Sequence, residues 1–414
     1  MLIGSVADDI TGATDLCLML SRAGLQVVQV MGVPEGPLPE AEAVVIALKS
    51  RTIPAFEAVE MALAAARALQ AAGARQILFK YCSTFDSTAS GNIGPVAEAL
   101  MALTGAQVTI ACPAFPANGR TVYKGHLFVG DQLLSDSPMK DHPLTPMRDA
   151  NLVRVLQRQT ELPVGLVDHA TVAGGAAAVA AAMEAAAAAG KRILVTDALS
   201  DGDLMVLGRA CAGLPLVTGG SGIAPGLAAN FVSGGTAAPR RMTAPRGRSA
   251  ILAGSCSVAT RGQIAAAKAA GVPARALDVP ALAEGSQTPA DLAEWAEAQT
   301  GTPLLYSSAE PEALAAVQAR LGVAASGALV EQALAETARL LQARGFARFV
   351  VAGGETSGAV VAALGVRMLD IGPEIAPGVP WTRSIGGPDL ALALKSGNFG
   401  SEDFFLKAWG LLDD

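Results

Sequence analysis

The 414 residues are enough for two domains, and 51% hydrophobic against 16% charged side chains excludes an intrinsically disordered chain. Thirty Lys and Arg against 37 Asp and Glu give a formal net charge of −7 with no long basic run, which argues against nucleic acid and leaves small molecules as the default partners. The most apolar-looking stretch, Ala173 to Gly190, is Ala and Gly interrupted by Glu184, so it reads as a helix of a globular protein and no membrane partner is expected.

The first strand-like run is Leu2–Val6, which lacks the positively charged start of a signal peptide, so a cytoplasmic location is expected. It leads into Ala7-Asp8-Asp9-Ile10-Thr11-Gly12-Ala13-Thr14-Asp15 and an amphipathic helix, placing two carboxylates at a strand's C-terminal end, where open α/β sheets bind ligands. Neighbouring side chains of an extended chain point opposite ways, so one carboxylate can face a crevice while the other braces the turn. Helix N-capping by Asp9 or Thr11 would use only one of these groups.

Further strands are expected at Gln26–Met31, Ala43–Leu48, Gln76–Tyr81, Gln107–Cys112, Arg192–Thr196 and Pro215–Thr218, with helices between most of them. This alternation predicts parallel βαβ units in a sheet covered on both faces. Lys49 and Arg51 follow the third run. After the fourth comes Lys80-Tyr81-Cys82-Ser83-Thr84-Phe85-Asp86-Ser87-Thr88-Ala89-Ser90-Gly91-Asn92, a hydroxyl-rich loop. Lys80 for charge, Asp86 for accepting from hydroxyls, and small donors such as Ser87 suit a polyhydroxylated anion; an ordinary loop capped by Ser90 or Asn92 is the alternative. Pro116 to His126 adds Arg120 and Lys124 beside an Asn-Gly turn, within a β-excursion around Thr121 to Val129. An acidic substrate needs one or two of Lys49, Arg51, Arg120 and Lys124.

Residues 233–248, with four Arg, two Pro, three Gly and no acid, read as a linker between a domain at 1–232 and one at 249–414. Beyond it, strands are expected at Ser249–Ala253, Pro303–Ser307 and Arg348–Ala352, and helices near Val258–Ala270, Pro289–Thr300 and Ala328–Arg344. Three loops of this half have the character of anion sites: Gly254-Ser255-Cys256-Ser257, Gly353-Gly354-Glu355-Thr356-Ser357-Gly358 and Lys395-Ser396-Gly397-Asn398-Phe399-Gly400. Glycines let backbone N–H groups close on a phosphate, and a helix N-terminus adds unpaired donors.

Other chemistry recedes. No GxxxxGK[ST] occurs, since Gly190-Lys191 is followed by Arg192. Thr218 to Gly226 is glycine-rich after a strand, but its spacing is wrong for a dinucleotide and no acid follows for a ribose. Cys17, Cys82, Cys112, Cys211 and Cys256 are scattered and never spaced CxxC, so free thiols are expected rather than disulfides or zinc. His126, His142 and His169 lack metal spacing.

Over essentially its whole length the chain resembles the four-carbon acid sugar kinase family. The resemblance rests on Asp8-Asp9-Ile10-Thr11-Gly12-Ala13 and the three loops of the second half; Lys80 to Thr88 and Pro116 to Tyr123 look like the 3-oxo-tetronate 4-kinase branch. It implies two α/β domains with mostly parallel sheets, an acid-sugar site and a nucleotide site facing an interdomain cleft, and transfer of the ATP γ-phosphoryl group to the 4-hydroxyl of a 3-oxo-tetronate. By the match, Ser255, the Gly353, Gly354, Glu355, Thr356, Ser357, Gly358 turn and the loop with Gly397 and Gly400 should hold ATP. On the sugar side the residues themselves nominate Asp8 or Asp9 to orient or deprotonate the attacking hydroxyl, and Arg51, Lys80, Asp86, Ser87 and Arg120 to bind the acid. Mg²⁺ is expected with the phosphates, its ligands unidentified. D-threonate or D-erythronate as acceptor, and a sensor that binds both ligands without turnover, are the alternatives; a homo-oligomer is left open.

Overall fold

The computed structural model describes residues 1–142, 144–232, 241–307 and 322–413. Two compact units divide the chain, Met1–Ala237 and Ala238–Asp414.

In the first unit the strands are β1 (Ile3–Ala7), β2 (Val27–Met31), β3 (Ala43–Ala47), β4 (Gln76–Lys80), β5 (Thr109–Cys112), β6 (Arg120–Tyr123), β7 (His126–Val129), β8 (Gln132–Leu133), β9 (Val164–Val167), β10 (Ile193–Thr196) and β11 (Leu216–Gly219). Eight of them form a parallel sheet in the order β2-β3-β1-β4-β11-β5-β10-β9. Strands β1, β3 and β4 are buried at every position, and their unbroken apolar runs reflect a sheet covered on both faces. The β-excursion is the antiparallel sheet β6-β7-β8. The Ala-rich stretch is helix Ala176–Ala188. Among the described residues no helix is long and apolar enough to cross a membrane.

Strand β9 escaped the sequence reading, being four residues long with Gly165 inside it. The glycine-rich run after β11 serves close packing: Cβ atoms on Gly219, Gly220 and Gly222 would drive into the carbonyls of Cys112, Pro113 and Ala114.

The second unit holds β12 (Met242–Thr243), β13 (Arg248–Ala253), β14 (Ala274–Ala276), β15 (Leu304–Tyr306), β16 (Phe346–Ala352), β17 (Met368–Ala376), β18 (Val379–Ile385), β19 (Ala391–Lys395) and β20 (Leu412–Asp413). The order β14-β15-β13-β16-β19 is parallel throughout, and β18 and β17 extend it antiparallel. One face packs helix Val258–Ala269 and the Phe404–Phe405 pair over Ala253, Val350, Ala352, Ala391, Ala393 and Trp381. The division between the two units falls within the 233–248 segment. Residues 233–240 lie outside the described residues, whereas Met242–Thr243 pairs with Leu412–Asp413 and Arg248 already belongs to β13. The antiparallel β17/β18 pair was not expected from sequence, because Gly372 and Pro373 interrupt its alternation where the register shifts.

Candidate active site

The C-terminal ends of β1, β3 and β4 converge on one charged cluster. Arg51, just beyond β3, forks Asp8 through Nε at 2.9 Å and Nη2 at 2.8 Å; the same Nη2 reaches Asp9 at 2.5 Å and Nη1 reaches Asp86 at 3.5 Å. Lys80, the last residue of β4, lies 3.4 Å from Asp9 Oδ1 with its side chain almost wholly buried. The sequence nominated these five residues from three separate segments, and the fold brings all five together.

The two adjacent acids have different surroundings. Asp9 caps helix Ile10–Arg22: its Oδ2 accepts from Gly12 N at 3.0 Å and from the Thr11 hydroxyl at 2.8 Å, while Oδ1 faces both cations. Burial disfavours its charge, but Arg51, Lys80, Thr11 and Gly12 together outweigh burial and hold the carboxyl well below the usual range. For Asp8 burial prevails over the Arg51 fork, with Asp9 adding repulsion, and its pKa is raised. Burial likewise works against the Lys80 charge, yet Asp9 and Asp8 raise its pKa, so it stays protonated. Gly12 is required locally, because a Cβ there would collide with the Lys80 amine and the Asp9 carboxylate.

Asp86 is set by backbone strain. Phe85 and Asp86 sit at φ 66° and 44°, a left-handed pair that non-glycine residues rarely adopt. Phe85 is wholly buried edge-on against Tyr81, whose hydroxyl meets Thr218 at 3.0 Å, and Thr84 donates to Asp86 at 2.8 Å. Ser87 bonds Gln159 at 3.2 Å, and the Gln159 amide returns to the Ser87 and Thr88 carbonyls. Asn92 opens helix Ile93–Thr104 without capping it by its side chain; its amide instead donates to the carbonyls of Ser50, Arg51 and Ile53, fixing the loop that carries Arg51. The sequence reading missed Gln159, since a polar residue 72 positions from its partner leaves no local signal.

The remaining cations lie apart. Arg120 begins β6 and donates to the Asn118 carbonyl; its Nε is buried without a partner, and among the described residues no bond ties it to the Asp8 cluster. Lys124 pairs with Asp168 at 2.8 Å on the surface, and Lys49 is exposed.

In the second unit the three glycine-rich loops leave the C-terminal ends of β13, β16 and β19, which are adjacent and parallel. Gly254 N and Ser255 N both donate to Ala352 O, and Gly353 N donates to Lys395 O at 2.8 Å, so the loops are stitched together. Gly353 has φ +124°, open only to glycine, and its Cβ would press on Thr356 and Ser255 N. Gly354 and Glu355 are exposed at the start of helix Gly354–Ala363, whereas Thr356, Ser357 and Gly358 turn into its packed side. The Ser357 hydroxyl is buried with no hydrogen-bond partner among the described residues.

A Cβ on Gly397 would run into the Ser255 hydroxyl, bringing the first and third loops into contact. Ser257 Oγ and Thr260 Oγ1 both donate to Gly397 O, at 2.6 and 2.8 Å, and Gln263 holds the carbonyls of Phe399, Gly400 and Ser401. Thr260 and Gln263 were not apparent from sequence, lying one and two turns into a helix that looks merely amphipathic. Among the described residues no group of three or more His, Cys, Asp or Glu side chains is arranged to hold a metal ion.

Known proteins match this division. Residues 3–227 match a family model described as a sugar-binding N-terminal domain, and residues 250–405 one described as a nucleotide-binding C-terminal domain. The 3-oxo-tetronate kinase of Burkholderia multivorans is 56% identical over 418 residues, covering 100% of this chain and 97% of that protein. The 3-oxo-tetronate kinase of Cupriavidus necator is 56% identical over 416 residues, covering 98% and 96%. Crystal structures of proteins from Salmonella typhimurium LT2 and Haemophilus influenzae superpose with TM-scores of 0.88 and 0.80, each at 43% identity, covering 98% and 99% of both chains. With both halves matched and relatives aligned over nearly its full length, the chain belongs to the four-carbon acid sugar kinase family.

Proposed function

We infer that this chain transfers the γ-phosphoryl group of ATP to the 4-hydroxyl of a 3-oxo-tetronate, giving the 4-phosphate and ADP. The observation that carries the reading is identity of 56% along the whole chain with proteins that bear the name 3-oxo-tetronate kinase. The sugar-binding domain is proposed to span residues 1–232 and the nucleotide-binding domain residues 249–414, with the reaction taking place in the cytoplasm. Phosphoryl transfer depends on alignment and charge neutralisation, so the acceptor held by one domain has to meet the nucleotide held by the other.

In the first unit three carboxylates, Asp8, Asp9 and Asp86, face two cations, Arg51 and Lys80. That surplus of acceptors favours substrate hydroxyls, with Ser87 beside them. Asp8 is the proton acceptor we assign for the 4-hydroxyl: its raised pKa makes it the better base, and Asp9 is already committed to Gly12, Thr11, Arg51 and Lys80. Arg120, with a buried Nε lacking a partner, is the cation we assign to the carboxylate. Its strand follows β5, on the same C-terminal edge as β1 and three strands away, about 14 Å at the backbone.

The loops with Ser255, Gly353 to Gly358, and Gly397 to Gly400 are proposed to receive ATP. Mg²⁺ would offset the charge of the phosphates, and among the described residues no group of three or more His, Cys, Asp or Glu side chains is arranged to hold it. An ADP-release assay against 3-oxo-tetronate, D-threonate and D-erythronate tests the whole reading. Turnover of 3-oxo-tetronate supports it. Equal turnover of the reduced acids favours the threonate or erythronate alternative, and binding without ADP release favours the sensor.

A further inference from the structure

Lys395 ends β19 with no exposed surface. Its amine donates to Gly397 O at 2.9 Å, Ser396 O at 3.0 Å and Thr260 Oγ1 at 3.2 Å. Its own carbonyl accepts from Gly353 N, so this one residue touches both the second and the third loop. An ammonium has a donor for each of the three, whereas a neutral amine has only two N–H and leaves one of these acceptors unmatched.

Its charge has no such match, because among the described residues no carboxylate bonds or ion-pairs with it. The charged groups on the surrounding elements are committed elsewhere or face outward. On β16 Arg348 donates to Gly247 O, and on β18 Arg383 forks Asp389. On helix Val258–Ala269 Arg261 donates to Cys256 O and Lys268 lies over the Tyr306 ring. Glu355 and Glu402 are exposed, and Asp403 pairs with Lys407. A buried cation without an anion is costly, and burial lowers the Lys395 pKa to about 7.

We propose that the anion Lys395 lacks is the phosphate chain of the nucleotide: Lys395 is a positioning residue that gains a proton as ATP binds and then holds the Ser396 and Gly397 carbonyls for the loaded arrangement of the three loops. This rests on the second unit receiving ATP. Two features favour phosphate over another anion. The loops open at the N-termini of helices Val258–Ala269 and Gly354–Ala363, whose free N–H groups suit an oxyanion. They also contain a buried hydroxyl, that of Ser357, with no hydrogen-bond partner among the described residues. The proton comes from solvent, turning a neutral amine into an ammonium beside the phosphates, so nucleotide affinity and proton uptake are linked.

The test is calorimetric titration of Mg²⁺-ATP into the full chain, without sugar acid, in two buffers of different ionisation enthalpy. At pH 8 a lysine with a pKa near 7 is about nine-tenths neutral, so binding should take up about 0.9 proton per nucleotide, falling as the pH approaches 6. Lys395→Arg, charged throughout, should bind ATP with no uptake. Lys395→Met should bind at least about tenfold more weakly, also without uptake, raising KM for ATP while leaving KM for the sugar acid unchanged. Wild-type binding without proton uptake, or undiminished uptake in Lys395→Arg, overturns the proposal. A wild-type chain that binds no ATP overturns instead the assignment of the nucleotide to this unit. The wild-type measurement decides even where a variant fails to fold.

Discussion

The two candidate sites differ in where their chemistry is carried. In the first unit five charged side chains from three strand ends, three acids and two cations, pair within a few ångströms, and the backbone serves mainly to aim them. In the second unit the loops offer backbone N–H groups, glycines and hydroxyls, with one buried lysine that no carboxylate answers. A carboxylate in the first site can therefore be neutralised without disturbing its neighbours' backbone, and what is lost is chemistry. In the second site the sensitive change is an added atom, and what is lost is room.

The largest expected effect tests the first half of that contrast. Asp8→Asn should lower kcat by ~10²–10⁴-fold while leaving the KM for ATP unchanged. The fold should survive near neutral pH, for a reason of sign. Because the folded pKa of Asp8 is raised, its contribution to stability is complete at low pH and is lost as the pH rises through that value, so a permanently neutral Asn keeps the favoured form. Near-full turnover of Asp8→Asn would remove it as the proton acceptor.

The counterpart in the second unit is Gly353→Ala. At φ +124° a side chain is strained, and the new Cβ presses on Thr356 and Ser255 N. A penalty of about 1–3 kcal/mol in the loop corresponds to roughly 10–100-fold weaker ATP binding. Sugar-acid binding, titrated separately, should be unchanged; equal loss of both would mean that the fold has failed rather than the loop.

How far the sequence revealed each site follows from the same contrast. Strands β1, β3, β4, β5, β10, β11 and β13 fall within a residue or two of their expected limits, because doubly covered parallel strands are written as unbroken apolar runs. Asp8, Asp9, Arg51, Lys80 and Asp86 were legible as candidates because each closely follows such a run. Asp9 was one of the two caps the sequence offered, but that Asp8 is the acid with the raised pKa was not legible, since it follows from burial in the fold and from Arg51 and Lys80 being brought to both acids from 42 or more residues away, with Thr11 and Gly12 serving Asp9 alone. In the second unit the glycines stood out and Lys395 was read with them as part of the third loop, but its burial was not legible, because a lysine at a strand end ordinarily reads as surface. Only the return of β19 beside β16, with Thr260 packed from the facing helix, buries it.

A smaller effect concerns the acceptor. A carbonyl at C3 only accepts hydrogen bonds, whereas a hydroxyl there also brings a proton that needs an acceptor; with the carboxylates taken by the other substrate hydroxyls, a C3 group facing Lys80 and the Ser/Thr hydroxyls of its loop leaves that proton unmatched, at about 1–3 kcal/mol. 3-Oxo-tetronate should therefore exceed D-threonate and D-erythronate in kcat/KM by roughly ten- to a hundredfold, and Lys80→Met should narrow the gap. Comparable values for oxidised and reduced acids would instead support the threonate or erythronate alternative.

The smallest expected effect separates the two adjacent acids by stability alone. The folded pKa of Asp9 is depressed below its unfolded value, so its stabilisation is fully present above about pH 5 and is lost as the pH falls through and below about 4. Asp8, raised, runs the other way. Asn caps a helix about as well as Asp, so Asp9→Asn keeps the cap on helix Ile10–Arg22 and removes chiefly the charge; because the folded carboxyl is held well below its usual range, part of that loss remains at pH 3. Thermal melting of wild type and Asp9→Asn should then show a gap of roughly 2–4 °C at pH 7 that shrinks, without vanishing, toward pH 3. The corresponding gap for Asp8→Asn should be smaller at pH 7 and should not shrink in that way. Identical pH profiles for the two variants would mean that Arg51 and Lys80 are shared evenly between the two carboxylates, and the assignment of Asp9 as anchor and Asp8 as base would lose its electrostatic support.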